Sequence, residues 1–541
     1  MKPFLTRNLK VKFLGITPLL KDRSGVLNPQ EIVALSALLT FKGRSIKKLF
    51  RDIEKKGESV DEKIKTILQR SSLRGHASIA TTPSLCLTFE GSKFLDSALT
   101  GIYFSSSLVS SGRRTGTTEN DIVFPDKIFS NKKTKKIYQE TSGKIIRFFN
   151  YLLSQKIQKD EASKILQYGI YGTGIVQLPV ETIVGLKREY QREKEWMPEE
   201  LGILLKKIEK AAKELGINWL YPARVAAPRN VYPYPNIFKN PENSNFTREL
   251  RKKIRLEGNS KLVSMDILIT SELKKKLLDL EREIKDTSSS FNKIKRNWQR
   301  LLDLHQEILR DYNSALRIKV LSSIPWRVWG EKKRHRTCPQ IIESIYYCID
   351  RAAKIFQKNK KLIRELDERP FISPLRFARE IEEVFSIPPS IKQNKELLFQ
   401  YLLVGLESLE TYQKLIKLGI EPRDAIFIVP RAVKIDILQE YDLYNLLTGY
   451  YPLRLCQTAE EEMRRNTIRE VAQIKNALNR KGYGWLNKLI VPKCGIIGFC
   501  PEEKSCSMIL PLVKNYNEKF HQEMKTELKK RFQENYKKLG K

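Results

Sequence analysis

The sequence predicts an α+β protein in which helices predominate. Several long segments carry apolar residues at mixed spacings of three and four, which is the period of an amphipathic helix. Only a few short segments are rich in branched or aromatic residues, as strands are. The chain has 541 residues, enough for about two to four domains. Its apolar fraction of 41% excludes a wholly disordered chain.

Three segments predict helices. Residues 197–215 (MPEELGILLKKIEKAAKEL) have an amphipathic pattern with a proline near the start, where proline is tolerated. Residues 270–310 repeat Leu, Ile and Trp at helical spacing, with a break near 287–290, so a helical hairpin or a coiled-coil arm is expected. Residues 515–538 are rich in Lys and Glu and predict a solvated or partner-binding helix.

Strands are predicted at 84–89 (SLCLTF), 315–321 (ALRIKVL) and 425–429 (AIFIV), because each segment is short and rich in branched or aromatic residues. The chain has no GxGxxG and no GxxxxGK[ST]. A glycine-rich loop that cradles phosphates is therefore not expected.

The chain is strongly basic. It has 99 Lys and Arg against 62 Asp and Glu, a formal net charge of +37. Nucleic acid, a membrane surface or phosphate-bearing small substrates all suit that charge, and a Lys-rich solvated surface also accounts for it. A nucleic-acid-binding function rests on charge alone, since aromatic-interleaved recognition motifs are absent, so nucleic acid is not the expected partner.

No apolar run approaches the roughly 18 residues of a membrane span, and the apolar stretch near residues 13–20 is short and interrupted by Pro18. We therefore expect a cytoplasmic protein with reduced cysteines and no membrane partner. Cys494, Cys500 and Cys506 are separated by five residues each, whereas structural zinc sites use four ligands and closer pairs. The spacing is a weak metal signal, and ordinary thiols and no metal are expected.

The clearest predicted linker is 221–245, because five prolines in this segment disfavour regular helix. It divides the chain into halves of similar length. Residues 148–166 (FFNYLLSQKIQKDEASKIL) and 411–429 (TYQKLIKLGIEPRDAIFIV) share one pattern: an apolar helix, an Ile, a short turn and then an acidic residue and Ala. This pattern predicts two diverged copies of one module.

The densest chemical segment is 332–347 (KKRHRTCPQIIESIYY). Arg334, His335 and Arg336 are followed after seven residues by Ser344, and two guanidiniums beside an imidazole suit a planar or anionic ligand. A solvated basic turn is the alternative. This spacing resembles the signature of the flavin-dependent thymidylate synthase family, also called thymidylate synthase complementing protein. Residues 418–430 and 453–464 (LRLCQTAEEEMR) resemble the segments that follow in that family.

The first half resembles the same family. Residues 74–90 (RGHASIATTPSLCLTFE) are similar to its Gly-His stretch, and 111–118 (SGRRTGTT) to its Ser-x-Arg stretch. Where the family has Arg-His-Arg, this half has 101–103 (GIY). The second half departs at Tyr346 and Ile426 and lacks the Gly-His pair, for which His305 is only a loose candidate. The two halves therefore have complementary losses.

The resemblance implies a helix-rich α+β fold with two synthase-like modules, each a central sheet flanked by helices. The expected boundaries are a first module at 1–220, the linker at 221–245, a second module at 246–490 and a cysteine-containing tail at 491–541. The family forms homotetramers with shared active sites. The resemblance thus implies a homodimer of tandem chains, a pseudo-tetramer, with composite sites between modules.

The resemblance also implies methylation of dUMP to dTMP, with FAD and NADPH as cofactors and methylenetetrahydrofolate as carbon donor. Arg454 would be catalytic, because a guanidinium stabilises charge that builds on the uracil ring. The implied dUMP contacts are Ser111, Arg113, Ser344 and Arg454. The implied FAD or folate contacts are His76, Ser78, Arg334, His335 and Arg336. A catalytically impaired relative that binds only nucleotide or flavin is the alternative, and Cys338 is interpreted as packing.

Overall fold

The structure is a computed structural model of the chain. It describes residues 3–22, 25–57, 59–102, 104–110, 116–227, 235–366 and 376–539. The strands in chain order are β1 Phe4–Leu5, β2 Lys10–Thr17, β3 Leu20–Asp22, β4 Gly25–Leu27, β5 Ser84–Ser92, β6 Ser106–Val109, β7 Val123–Phe124, β8 Tyr171–Pro179, β9 Ser260–Ile267, β10 Leu316–Pro325, β11 Gln340–Ile342 and β12 Lys434–Asp442.

The helices that begin before residue 246 are α1 Pro29–Lys42, α2 Ile46–Lys55, α3 Val60–Leu73, α4 Ser78–Thr81, α5 Lys93–Leu99, α6 Asp126–Ser130, α7 Lys132–Ser154, α8 Lys159–Ala162, α9 Val180–Arg192, α10 Glu199–Lys210, α11 Leu220–Ala226 and α12 Asn245–Lys253. The later ones are α13 Ser271–Thr287, α14 Phe291–Tyr312, α15 Trp326–Lys332, α16 Ile345–Lys358, α17 Lys360–Arg364, α18 Arg376–Glu382, α19 Pro389–Lys392, α20 Lys395–Lys417, α21 Pro422–Ala425, α22 Leu443–Leu447, α23 Tyr451–Arg454, α24 Glu461–Arg480, α25 Lys493–Ile497 and α26 Glu518–Leu539. The predicted helix-rich α+β class is confirmed.

The chain divides into two compact units. The first contains Met1–Asn245, Pro325–Arg336 and Ile342–Ile435, and the second contains Phe246–Ile324, Thr337–Ile341 and Asp436–Lys541. Each unit therefore draws on discontinuous segments, and the first includes residues from both halves of the sequence.

The sheet of the first unit has the strand order β2-β5-β8-β6, and its neighbouring strands are antiparallel. Alternate residues of β5 are buried, as expected for a strand with one face on the core. Leu85, Leu87 and Phe89 lie on this buried face, and α5 and α9 follow β5 and β8 directly.

The sheet centred on the second unit has the order β11-β12-β10-β9, with β10 and β9 antiparallel. Its core joins Ile318 and Val320 of β10 to Leu273 and Leu277 of α13 and to Ile474 of α24. A second cluster forms where Ile294 of α14 packs on the tail, with members Cys494, Ile496, Ile497, Phe499, Cys500, Ile509, Val513, Tyr516, Phe520 and Met524.

Both sheets have the same connectivity. In each, the first strand in sequence pairs with the second, the second with the fourth, and the fourth with the third. Three elements recur in the second half at a constant separation in residue number. The first and last residues of α20, α21 and β12 each lie 263 positions after those of α7, α8 and β8, respectively (395 less 132, 434 less 171). Upstream, α5 and α15 differ by 233. The second half is therefore 30 residues longer in the stretch that contains α16 to α19.

The paired helices α7 and α20 pack on each other within the first unit. The Thr141 and Thr411 hydroxyls lie 3.0 Å apart, and the Lys144 ammonium lies 2.5 Å from the Glu407 carboxylate. Asn131 and Asn394, also 263 apart, cap the two N-termini by accepting backbone N–H bonds.

The two helices also end alike. The N–H of Ile157 donates to the Leu152 carbonyl and that of Lys156 to Leu153. At the end of α20, the N–H of Ile420 donates to Leu415 and that of Gly419 to Ile416. Both endings are Schellman motifs, which place the residue after the cap in the left-handed region. Lys156 has φ 60° and Gly419 has φ 83°.

Several predicted elements are observed. The strands at 84–89 and 315–321 are the cores of β5 and β10, and the helix at 197–215 is α10. The segment 270–310 is a helical hairpin of α13 and α14 that breaks at 288–290, and the C-terminal helix is α26.

The strand predicted at 425–429 is wrong. Residues up to Ala425 belong to α21, and Ile426–Ile428 form a 3-10 turn. The four residues Ile426 to Val429 are all buried, and Phe427 stacks on Phe94 with ring centroids 4.3 Å apart. A short apolar run that is covered on every side has no periodicity that separates strand from turn.

The start of the predicted linker is also helical. Residues up to Ala226 continue α11, with Pro222 in the first turn, where a missing N–H is tolerated. Arg224 is fully buried and makes a bidentate ion pair with Glu181 at 3.0 Å for both bonds. Residues 228–234 lie outside the described residues. Among the helices of the described ranges, none is long and apolar enough to cross a membrane.

Candidate functional site

The Arg-His-Arg segment lies on a turn that directly follows α15. Trp326 and Trp329 are buried and fix this helix. The N–H of Trp326 donates to the Val433 carbonyl at 2.8 Å, and that of Arg327 to the Arg431 carbonyl at 3.0 Å. The helix is therefore held at its start, and the turn at 333–336 emerges from a rigid base.

The turn packs against its counterpart from the first half. Gly101 and Ile102 are 233 positions before Arg334 and His335, and Tyr103 lies outside the described residues. The Arg336 Nε–H donates to the Ile102 carbonyl at 3.0 Å. A Cβ on Gly101, which has φ 82°, would lie 2.8 Å from the Lys333 carbonyl oxygen, so only glycine permits this approach.

The three signature side chains differ in exposure. Arg334 is exposed, whereas His335 and Arg336 are half-buried. Burial, followed by the nearby Arg334 charge, lowers the pKa of Arg336. Lys333, just before them, is buried, donates to the Ser97 carbonyl and lies 4.4 Å from the centre of the Trp329 ring. Burial lowers the pKa of Lys333 well below its usual value.

A buried group of charges lies beside this turn. The Lys93 ammonium donates to the backbone carbonyl and hydroxyl of Ser110 at 2.7 Å each and lies 3.5 Å from Asp96. Burial lowers the pKa of Lys93 to about 8, and burial raises that of Asp96 to about 6. The fully buried Arg431 donates two bonds to the Gln167 carbonyl and lies 4.6 Å from the Tyr168 ring centre.

Cations outnumber carboxylates in this group. Arg327 and Arg431 both lower the pKa of Lys93, in addition to burial. Burial lowers the pKa of Arg431 to about 10. An environment that penalises several buried cations is stabilised by an anionic ligand, so the cluster suits phosphate or carboxylate groups.

Sequence reasoning missed Lys93, Asp96 and Arg431. The available signal was a Lys and an Asp three apart in a short, mostly apolar segment soon after a predicted strand (KFLDSAL). Arg431 gave no signal, because a single Arg after a proline is common in a basic chain.

Ser344 is the N-cap of α16 and is fully buried. Its N–H donates to the Ser244 hydroxyl at 2.7 Å, and its own hydroxyl donates to the Lys239 carbonyl at 2.6 Å. Tyr346, where the family has Arg, donates its hydroxyl to the Trp196 carbonyl and packs on the Trp196 ring. Both side chains thus have structural partners in the first unit.

The remaining predicted site residues lie elsewhere. His76 is exposed after Gly75, beyond the end of α3, and Ser78 is the exposed first residue of α4. Ser111 and Arg113 lie outside the described residues, directly after the Ser110 that contacts Lys93. His305 is a core histidine of α14, with Nδ1 2.6 Å from the Leu301 carbonyl.

Arg454 belongs to the second unit, where it is half-buried at the end of α23. The preceding Tyr451 hydroxyl donates to Glu470 at 3.2 Å, and Glu470 also accepts bonds from Ser322 and Asn466 at 2.9 Å. This network anchors the short helix that ends at Arg454. Cys338 is buried in the core of the same unit, as interpreted from the sequence.

Two further carboxylates are buried in the first unit. Glu200 accepts from the Ser92 backbone N–H at 2.8 Å and from the Ser92 hydroxyl. Burial raises the pKa of Glu200 to about 7. Burial also raises the pKa of Asp424 to about 7, against the opposing effect of Arg423. Neither belonged to the predicted site.

Residues 273–478 match the family described as thymidylate synthase complementing protein. The flavin-dependent thymidylate synthase of Thermococcus onnurineus is 34% identical over 125 residues, which cover 23% of this chain and 50% of that protein. The corresponding enzyme of Pyrococcus horikoshii is 37% identical over 125 residues, covering 23% and 51%. The chain spans about half the length of the curated relatives it matches.

Two solved structures are also similar. The UMP/dUMP methylase PolB from Streptomyces cacaoi, bound with 5-Br dUMP, has a TM-score of 0.31 at 11% identity, covering 41% of this chain and 97% of that chain. The flavin-dependent thymidylate synthase ThyX from Helicobacter pylori, complexed with FAD and dUMP, has a TM-score of 0.25 at 14% identity, covering 43% and 99%.

The family resemblance predicted from the Arg-His-Arg spacing is confirmed by the match over residues 273–478. This stretch includes the signature turn, α16, and the segment that carries Arg454.

Proposed function

We propose that the chain is a flavin-dependent thymidylate synthase that converts dUMP to dTMP. Methylenetetrahydrofolate would supply the carbon and NADPH the reducing equivalents. The observation that carries the proposal is the family match over residues 273–478, which contains the signature turn at Arg334 to Arg336. The buried excess of cations beside that turn supports it, since dUMP, FAD, NADPH and folate are all anionic.

The residues present suit a flavin nucleotide. Arg334 is exposed on the turn after α15, and Arg336 is half-buried next to it. Guanidinium groups of this kind can bind phosphate and stack on planar rings. The two arginines, with His335, His76 and Ser78, are the proposed FAD or folate contacts. Bound FAD would supply the redox chemistry. The protein groups would bind, orient and exclude water.

For the nucleotide we propose Ser111, Arg113, Ser344 and Arg454. Arg454 has the catalytic role, because a fixed positive charge near the uracil oxygens stabilises the charge that makes C5 nucleophilic. The short helix that carries it is anchored through Tyr451 and Glu470.

We also propose that the halves are two copies of one module, with the boundaries at 1–220, 221–245, 246–490 and 491–541. Support comes from the common strand order and the constant separation of α7 from α20 and β8 from β12. Sites would be assembled from residues of both copies, in a homodimer of tandem chains.

One observation favours a second candidate, a relative that binds flavin or nucleotide without turnover. The Ser344 hydroxyl already donates to the Lys239 carbonyl, and Tyr346 replaces a family arginine. A nucleotide contact at Ser344 would require its hydroxyl to exchange this partner.

The test is dTMP formation from dUMP with FAD, NADPH and methylenetetrahydrofolate, together with flavin absorbance of the purified chain. We expect a yellow protein that forms dTMP. Arg454→Ala should reduce turnover by about 100-fold or more. Arg334→Ala should weaken flavin retention, while Arg480→Ala, an exposed arginine at the end of α24, should change neither.

Two outcomes separate the candidates, and a third tests the composite sites. Flavin binding without dTMP supports the non-catalytic relative. Neither flavin nor dTMP overturns both candidates. Normal turnover in both Arg454→Ala and His76→Ala would overturn the proposed composite sites.

A further inference from the structure

A cavity of about 320 Å³ in the second unit lies next to α23 and α25, lined by residues of 452–458 and of the tail at 492–508. Four of the seven cysteines of the chain line it: Cys456, Cys494, Cys500 and Cys506. The sequence pattern revealed only the last three. Cys456 is 38 residues upstream of Cys494, and folding brings it to the same cavity.

We propose that this cavity binds an iron–sulfur cluster through the thiolates of Cys456, Cys494, Cys500 and Cys506. Four cysteine ligands are the usual set for both two-iron and four-iron clusters. The proposal is independent of the thymidylate synthase activity.

The four cysteines line one cavity and differ in burial. Cys494 and Cys500 are buried in the tail core, while Cys456 and Cys506 are half-buried. The proposed ligand set thus includes both buried and half-buried thiols, and the half-buried ones offer a route of entry.

The arrangement favours a cluster over a single zinc ion. Structural zinc requires four ligands at about 2.0–2.3 Å from one point. Within the ranges that the structure describes, no group of three or more His, Cys, Asp or Glu side chains is arranged to hold one metal ion. The four cysteines line a cavity of about 320 Å³, which offers room for a polynuclear iron–sulfur core.

The surroundings suit a negatively charged cluster. Lys493 and Lys504 line the same cavity, as does one carboxylate, Glu502. Local charge and solvent exposure are among the properties through which proteins tune such clusters.

The backbone between Cys494 and Cys500 allows both residues to reach the same cavity. Gly498, with φ 82°, ends α25 and reverses the chain between Cys494 and Cys500. A Cβ there would lie 2.9 Å from Ile294. Pro501 follows Cys500, as a proline follows the last cysteine of the bacterial ferredoxin motif.

The test uses the full chain, purified without oxygen and reconstituted with ferrous iron and sulfide under a thiol reductant. Iron, zinc and acid-labile sulfide are measured per chain, because bound flavin obscures visible absorbance but contains no sulfide. We expect iron and sulfide in equal amounts, two or four of each, and a paramagnetic signal after reduction with dithionite.

Cys456→Ser and Cys506→Ser alter the half-buried ligands and should lower cluster content at least about fivefold while circular dichroism shows retained helix. Cys86→Ser, a half-buried thiol on β5, is the matched control and should retain full content. One zinc per chain, iron without sulfide, or equal cluster content in all variants would overturn the proposal. If Cys494→Ser fails to fold, the Cys456 and Cys506 variants still decide.

Discussion

The Lys144 ammonium and the Glu407 carboxylate form an ion pair at 2.5 Å across the contact between α7 and α20, and their positions are counterparts at the 263-residue separation. Corresponding helices from the two halves therefore meet at corresponding positions, which is the contact expected around a local pseudo-twofold axis. Gln167 and Pro430 are also 263 positions apart, and they form an antiparallel bridge, so they are a second pair of counterparts in direct contact.

Reversing either charge should weaken this contact modestly. The side chains of Lys144 and Glu407 are 46% and 32% exposed, so solvent screens their attraction and we expect a loss of about 0.5–1 kcal/mol for Lys144→Glu or Glu407→Lys. The double reversal should recover most of it. Urea unfolding of the four proteins gives the coupling energy, and strict additivity of the two losses would contradict a direct pair.

Lys156→Gly should stabilise the protein. Lys156 has φ 60°, a conformation that glycine adopts without a Cβ penalty, and the counterpart position is Gly419. We expect a gain of about 0.5–1 kcal/mol in the free energy of unfolding.

The reciprocal change, Gly419→Ala, should cost about 1 kcal/mol through backbone conformation alone, because nothing lies within 4 Å of its added Cβ. Thermal melts of both variants measure the two changes in stability. Opposite signs are expected, and a loss in Lys156→Gly would show that the lysine side chain matters more than its backbone.

Gly169→Ala should be strongly destabilising. An added Cβ would lie 2.4 Å from the Phe427 carbonyl oxygen and 2.5 Å from the Tyr138 hydroxyl, both buried where the halves meet. Overpacking of this kind costs about 1–3 kcal/mol or more. Gly116→Ala, with nothing within 4 Å, is the control and should melt like the parent. Equal melting temperatures for both variants would contradict this close approach.

Glu200 should make stability depend on pH. Burial raises its pKa to about 7 from the ordinary 4.5, so the unfolded chain loses this proton at lower pH than the folded protein. The contribution of Glu200 to the free energy of unfolding is greatest below about pH 4.5. It falls by up to about 3 kcal/mol as the pH rises towards 7.

Glu200→Gln removes this titration. Relative to the parent, its free energy of unfolding should increase between pH 5 and 7 and then level off. Denaturant titrations across that range measure the difference, with the exposed Glu195→Gln as control. A pH-independent difference would show that Glu200 remains ionised in the folded state.

Local patterns predicted much of the fold. Apolar spacing located α10, α13 and α14, and branched residues located β5 and β10, because amphipathic helices and half-buried strands have distinct periods. The run at 426–429 was assigned incorrectly because it is buried on all sides, which removes the polar residues that reveal a period.

Candidate site residues are predictable only where charge and spacing form a pattern in sequence. Arg334, His335 and Arg336 are predicted site residues because three adjacent residues and a distant serine form such a pattern. Lys93 and Arg431 meet only through the fold, across more than 300 positions of sequence. Likewise, Cys456 shares a cavity with the other three cysteines only because the fold brings the end of α23 next to α25.

The packing of α7 on α20 has a consequence for behaviour at low concentration. In a dimer of separate subunits, such a contact dissociates on dilution. Here both helices belong to one chain, so their association is intramolecular and its occupancy is set by the connecting segment rather than by the amount of protein. The contact between the two halves therefore persists when the protein is dilute. Either half can also diverge in sequence without its partner being replaced by a half from another chain.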